Sequence, residues 1–201
     1  IHVNAKNKDW EKDSYSSNVT STNKSVNVAE GRTVEDVGSV NGSVFVEDNV
    51  TAKHVTNING RISIGNNVSV DSLDSVNGQI KVGESFVAKE SVSAVNGQIV
   101  IQGQGKIGGR LTTVNGNIMI SSVVVEKDIV STNGSVKLKD GSLVKGNIHF
   151  RNSANHYNKN YPVLHISADS NVQGDIILER PVELDLQNKN LEGKIKRLYK
   201  D

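Results

Sequence analysis

An Asn-Gly step recurs six times at near-constant spacing, and few folds can accept such a repeat. The steps are Asn41-Gly42, Asn59-Gly60, Asn77-Gly78, Asn96-Gly97, Asn115-Gly116 and Asn133-Gly134, separated by 18, 18, 19, 19 and 18 residues. Each Asn follows Val or Ile (Val40, Ile58, Val76, Val95, Val114) except at Thr132. After each Gly comes one polar residue and then an apolar-x-apolar pair: Val44/Val46, Ile62/Ile64, Ile80/Val82, Ile99/Ile101, Ile118/Ile120 and Val136/Leu138. Self-similarity at this period is the mark of a repeat architecture, in which one unit buries its apolar face only by stacking on the next.

Two further apolar groups complete most units. One lies nine to eleven residues after the Asn (Val50/Ala52, Val68/Val70, Phe86/Ala88) and the other near residue fourteen or fifteen (Val55, Leu73, Val92, Ile129). Each unit thus carries three short period-2 segments, as three strands do when alternate side chains enter a shared core. The expected fold is all-β: a single-stranded, three-faced β-solenoid (β-helix) of about eight or nine coils of 18–19 residues. Asn23-Lys24 with Val26/Val28, Val34, Val37 and Val40 reads as a decayed first coil. The late steps Val144-Lys145-Gly146-Asn147-Ile148 and Val172-Gln173-Gly174-Asp175-Ile176 extend the pattern. With strands about 4.8 Å apart, such a rod is on the order of 40 Å long.

Asn-Gly between alternating apolar runs is also a hairpin signal, so an antiparallel meander or barrel competes. Leu73, out of alternation between Val68 and Val76, favours two segments joined at a corner instead. Stacking also explains why one residue type returns to one position.

Composition agrees with a strand-built rod. Only 35% of the residues are hydrophobic and 4% aromatic, and Val and Ile dominate the apolar set, as suits pleated strands. With 23 basic and 22 acidic side chains, the net charge of +1 provides no field to attract nucleic acid or an anionic membrane. The absence of Cys rules out disulfides and thiolate metal sites. No apolar run approaches the roughly 18 residues of a transmembrane segment. The chain opens Ile1-His2-Val3 without Met or an apolar signal core, and is read as a processed, exported chain.

The Asn column is read as structural. Stacked side-chain amides can bond to one another along the axis, and Gly beside each Asn is expected to supply a positive φ at the corner. The ladder set is Asn41, Asn59, Asn77, Asn96, Asn115 and Asn133 with Gly42, Gly60, Gly78, Gly97, Gly116 and Gly134. The sequons Asn41-Gly42-Ser43 and Asn133-Gly134-Ser135 make poor glycan acceptors in such a corner. Residues 1–22 form a polar segment or cap in which Trp10 could cover the first coil. The solenoid spans 23–186, and 187–201 form a C-terminal cap or tail.

The repeat breaks at a polar insertion, 151–161, that holds one of the five His and two of the four Tyr, with His149 and His165 beside it. Loops added to a regular scaffold often carry function. The candidate binding residues are therefore His149, Arg151, Asn155, His156, Tyr157, Tyr161 and His165. No phosphate-binding loop, zinc-binding helix, nucleophile elbow or Cys/His cluster is present, so neither catalytic residue, metal nor cofactor is assigned. The mixed column Asp48, Asn66, Glu84 reads as a solvated turn.

The repeated Val-Asn-Gly-(Ser/Gln/Asn)-(Ile/Val)-x-(Val/Ile), with Val172-Gln173-Gly174-Asp175-Ile176-Ile177-Leu178-Glu179, resembles bacterial cell-envelope β-solenoid proteins of the adhesin type over residues 23–186. It is similar, more loosely, to the polymer-forming bactofilins. The first resemblance implies an exported, non-enzymatic structural, adhesion or scaffold protein of the periplasm, outer-membrane surface or exterior. Its partner would be a protein, a polysaccharide or another copy of itself. A carbohydrate-active or acyl-transferring solenoid enzyme, with a groove beside 149–165, and a self-polymerising filament subunit are the alternatives.

Overall fold

The computed structural model describes residues 18–153 and 160–200. These form 25 strands and one 3₁₀ turn, gathered into a ten-stranded, a nine-stranded and a six-stranded sheet. Every strand pairing is parallel, and every pair joins equivalent segments of successive coils: Val44 lies beside Ile62, Ile62 beside Ile80, Ile80 beside Ile99. The chain is a β-solenoid of about nine coils with three faces. An antiparallel meander is excluded by the sense of the pairing.

One coil shows how the sequence produces the shape. Asp36–Ser39 runs in the ten-stranded sheet, turns at Asn41-Gly42 and enters Val44–Val46 of the nine-stranded sheet. The chain then turns at Asn49, passes the bridge position Thr51 of the third face, and returns to the ten-stranded sheet at His54. Period-2 alternation puts Val37, Val44, Val46, Val50, Ala52 and Val55 inside, almost wholly shielded from water. The core is one continuous column of such residues, with Phe86 and Phe150 the largest fully buried side chains. Leu73 is buried because Ser72–Ser75 starts a new face immediately after Ser69–Val70.

The glycines of the Asn-Gly steps have a different purpose from the one the sequence suggests. None of the six has a positive φ. Their constraint is close approach: a Cβ on Gly78 would sit inside the carbonyl oxygen of Gly60, and one on Gly97 inside that of Gly78. The backbone stacks so tightly at this corner that only hydrogen fits. Positive φ belongs to the next corner, between the nine- and six-stranded sheets, at Asn49 (60°), Asn67 (54°), Ser85 (56°), Gln104 (50°), Ser122 (54°) and Asp140 (54°). Asn and Asp are the non-glycine residues that tolerate this region best.

At the C-terminal end, side chains close the six-stranded sheet. The last strand of the six-stranded sheet, Asn171–Val172, would leave its carbonyls open. Lys194 Nζ donates to the carbonyls of Val172 (2.8 Å) and Gln173 (2.9 Å), and Asn188 Nδ2 to that of Ser170 (2.8 Å). The 3₁₀ turn Lys189–Lys194 buries Leu191 against the core. Strand pairing runs past residue 186, since Ile195–Arg197 pairs with Ile176–Leu178. At the other end, residues 1–17, Trp10 among them, lie outside the described residues.

Candidate functional site

The Asn-Gly corner is built from three adjacent columns. On the outside, each Asn Nδ2 donates to the Oδ1 of the Asn one coil earlier: Asn41 to Asn23 (2.9 Å), Asn59 to Asn41, Asn77 to Asn59 and Asn96 to Asn77 (2.8 Å each), Asn115 to Asn96 and Asn133 to Asn115 (2.7 Å each). The ladder is polar, with donors directed towards the N-terminal end and acceptors towards the C-terminal end.

Inside lies a column that the sequence reading missed. Ser39, Asn57, Ser75, Thr113 and Ser131 are buried three residues before each glycine. Their side chains bond the turn itself: the hydroxyls of Ser75, Thr113 and Ser131 donate to the carbonyls of Gly78 (2.8 Å), Gly116 (2.8 Å) and Gly134 (2.5 Å). In return the N–H groups of Gly42, Gly78 and Gly116 donate to Ser39, Ser75 and Thr113 at 2.9, 3.3 and 3.1 Å. Asn57 plays both parts between Gly42 and Gly60. Ala94 interrupts the column. The signal was legible as a small polar residue before Val-Asn-Gly.

Between the two columns stands a ridge of methyl groups. Val40, Ile58, Val76 and Val95, the residues before each Asn, are 36%, 42%, 38% and 39% exposed. Residues on either side are mostly uncharged: Gly38, Thr56, Ser93, Thr112 and Val130 in the ten-stranded sheet, and Ser43, Gln79, Gln98, Asn117 and Ser135 beyond the ladder. Asp74, which accepts the Ser93 hydroxyl, is the acidic exception, and Arg61, in the column beyond the ladder, the basic one. Ion pairs gather around the six-stranded sheet: Lys53–Glu35, Lys89–Asp71, and Lys106 and Lys145 on Glu126.

The insertion replaces one Asn-Gly corner. Phe150 lies beside Ser131 and Leu164 beside Val136, so this coil is 28 residues long. Asn152 occupies the ladder register, but its backbone N–H turns to Glu179 Oε2 (3.0 Å). The ladder's last acceptor is taken instead by Arg180, two coils above Asn133, whose Nη1 reaches Asn133 Oδ1 (2.6 Å) and the Thr132 carbonyl (3.0 Å). Arg180 is buried, and among the described residues its Nε has no hydrogen-bond partner. Burial lowers its guanidinium pKa from the ordinary value, with Tyr161 acting in the opposite sense.

Among the described candidate residues, His149 and His165 lie on different sheets. His149 projects from the ten-stranded sheet, with Nε2 3.4 Å from Glu179 Oε2 but no hydrogen bond. His165 lies on the nine-stranded sheet, between Lys137 and Asp185, and its Nδ1 is 2.6 Å from Asp185 Oδ2. The corner between those sheets separates the two imidazoles. Arg151 is exposed, and Tyr161, half exposed, is near enough to Arg180 to influence it. Asn155, His156 and Tyr157 lie outside the described residues. Among the described residues, no group of three or more His, Asp or Glu is placed to hold a metal. Asp48 and Asn66, at the mixed column, accept the backbone N–H of Asn66 (2.7 Å) and Glu84 (2.9 Å), so they brace a corner.

No family model, curated protein or solved structure matches the chain. Its function is therefore read from its own surface. Among the described residues, the ridge with its ladder is the regular apolar feature of that surface, and the repeat is interrupted between Ser153 and Asn160.

Proposed function

We propose that the protein is a non-enzymatic structural or adhesion protein of the bacterial cell envelope or exterior, which docks a protein or polysaccharide of the envelope along its Asn-Gly corner. The observation that carries this reading is the exposed ridge Val40–Ile58–Val76–Val95. Aligned valine and isoleucine side chains left in water forgo the stabilisation that covering them would give, and contiguous exposed apolar surface marks interaction sites. The adjoining amides offer a partner further donors and acceptors at the spacing of the coils. Export and the envelope setting rest on the family resemblance of the repeats.

The alternatives have less support. An enzymatic groove beside 149–165 could not draw on both His149 and His165 from one wall, since they stand on different faces. End-to-end polymerisation needs open strand edges, and at the C-terminal end Asn188 and Lys194 occupy that of the six-stranded sheet.

Cosedimentation with isolated bacterial envelopes tests the proposal. The wild type should pellet with them, and the variant carrying Val40→Thr, Ile58→Thr, Val76→Thr and Val95→Thr should stay in the supernatant with an unchanged circular dichroism spectrum. Envelopes stripped by protease or by glycan hydrolases then separate the two partner classes. Equal pelleting of wild type and variant would refute the role of the ridge.

A further inference from the structure

Asn-Gly is the dipeptide most prone to lose the side-chain amide, because glycine hinders its own nitrogen least when that nitrogen turns towards the Asn Cγ. This fold exposes the Asn of six such steps and restrains both reacting groups at four of them. The ladder holds each Asn amide, and the buried polar column holds the glycine nitrogen at Gly42, Gly60, Gly78 and Gly116. At Asn96-Gly97 the outer restraint is intact, since Asn96 donates to Asn77 and accepts from Asn115. The inner one is missing: Ala94 stands where Ser75 and Thr113 stand in the flanking coils, and no side-chain oxygen comes from that position to meet the Gly97 N–H.

We propose that Asn96-Gly97 deamidates in preference to the Asn-Gly steps whose glycine N–H is held by a side chain, Asn77-Gly78 above all, because Ala94 removes one hydroxyl from the corner column. The Gly97 nitrogen gives up its proton to solvent and attacks Cγ of the exposed Asn96. A C–N bond forms, the Cγ–Nδ2 bond breaks and ammonia leaves, producing a five-membered succinimide. Water opens this ring at either carbonyl, to aspartate or isoaspartate. The only co-reactant is water, and nothing is oxidised or reduced. Either product cuts the ladder. A carboxylate at 96 has no hydrogen for Asn77 Oδ1, and isoaspartate adds a main-chain carbon to a corner whose glycines stack with no room to spare.

The molecule contains its own control. Val76-Asn77-Gly78-Gln79-Ile80 and Val95-Asn96-Gly97-Gln98-Ile99 are identical pentapeptides, and they are preceded by Ser75 in one coil and Ala94 in the other. The test is incubation of the folded protein at mildly alkaline pH, followed by peptide mapping for the amide-to-acid mass gain and for isoaspartate. Asn96 should convert about three- to tenfold faster than Asn77, the factor expected from one lost hydrogen bond. Ala94→Ser should bring Asn96 to the rate of Asn77, and Ser75→Ala should raise Asn77 to that of Asn96. In strong denaturant the two steps should react equally. The proposal is overturned if Asn96 reacts no faster than Asn77 in the folded protein. It is equally overturned if Ala94→Ser leaves the rate unchanged, or if the preference persists in denaturant.

Discussion

Arg180 Nη1 donates to Asn133 Oδ1 at 2.6 Å from two coils away, spanning the coil whose own corner has been replaced by the insertion. A ladder of side-chain amides always ends on an unused acceptor, and here a buried cation takes it. Arg180→Met should destabilise the protein by about 1–3 kcal/mol, because Asn133 Oδ1 and the Thr132 carbonyl both lose their donor. Arg180→Lys should recover part of the loss. Urea denaturation of the three proteins measures it, and a fully stable Arg180→Met would show that the contact is incidental.

Within the ladder, donor and acceptor can be removed separately. Asn77→Ala deletes the bond to Asn59 and the bond from Asn96, and should cost about 1–2 kcal/mol. Asn77→Asp retains the acceptor for Asn96 and loses only the donor. At neutral pH its carboxylate faces the Asn59 oxygen, so folding favours the protonated acid and raises its pKa. Stability of Asn77→Asp relative to wild type should therefore improve as pH falls towards about 4, as the acid becomes able to donate again, and level off below it. Thermal melts across that range check the sign.

The two corners predict opposite responses to small changes in side-chain size. Gly78→Ala puts a methyl group into the Gly60 carbonyl and should cost more than about 3 kcal/mol or prevent folding. Ser85→Gly releases a residue held at φ 56° and should be neutral or stabilising by up to about 1 kcal/mol. Were Gly78→Ala the tolerated change, the close-approach account of the glycine column would be wrong.

Lys194 guards an edge. Lys194→Ala opens the carbonyls of Val172 and Gln173 and should turn a well-behaved solution into one with concentration-dependent association. Analytical ultracentrifugation over a wide concentration range decides it. Association no stronger than in the wild type would mean that the 3₁₀ turn alone closes this end.

Glu126 sets a small acid dependence. The hydrogen bond from Lys145 holds its carboxyl below the ordinary value of 4.5, with Lys106 contributing further. The stabilisation is present above that value and is lost as pH falls through the lower folded one. Wild type should thus outlast Glu126→Gln slightly at neutral pH in low salt, and the gap should close on acidification or in high salt. A gap that widens in acid would reverse the assignment.

Much of the rod was legible because stacking puts one residue type in one place. The period, the three faces and the inward Val and Ile positions follow from Asn41 to Asn133 and the pairs after them. The corners were harder to read, because their constraints act between coils. Nothing local to Gly78 reveals the Gly60 carbonyl below it, and Ser75 looks like any polar residue until its hydroxyl is seen inside the turn. His149 and His165 are near neighbours in sequence, yet the corner between them sends their side chains to different faces. Arg180 carried no sequence mark at all, since its partner is 47 residues earlier.

The head-to-tail order of the ladder gives the rod an electrical axis. Seven carboxamide dipoles, from Asn23 to Asn133, point the same way, and each polarises the next, as in other chains of hydrogen bonds. The oxygen end of that series carries partial negative charge and is where a cation belongs, by the same logic that places basic residues at the C-terminus of a helix. Arg180 is found there. Coils that look nearly interchangeable therefore add up to an object with two electrostatically different poles, and a partner lying along the ridge can distinguish one direction from the other.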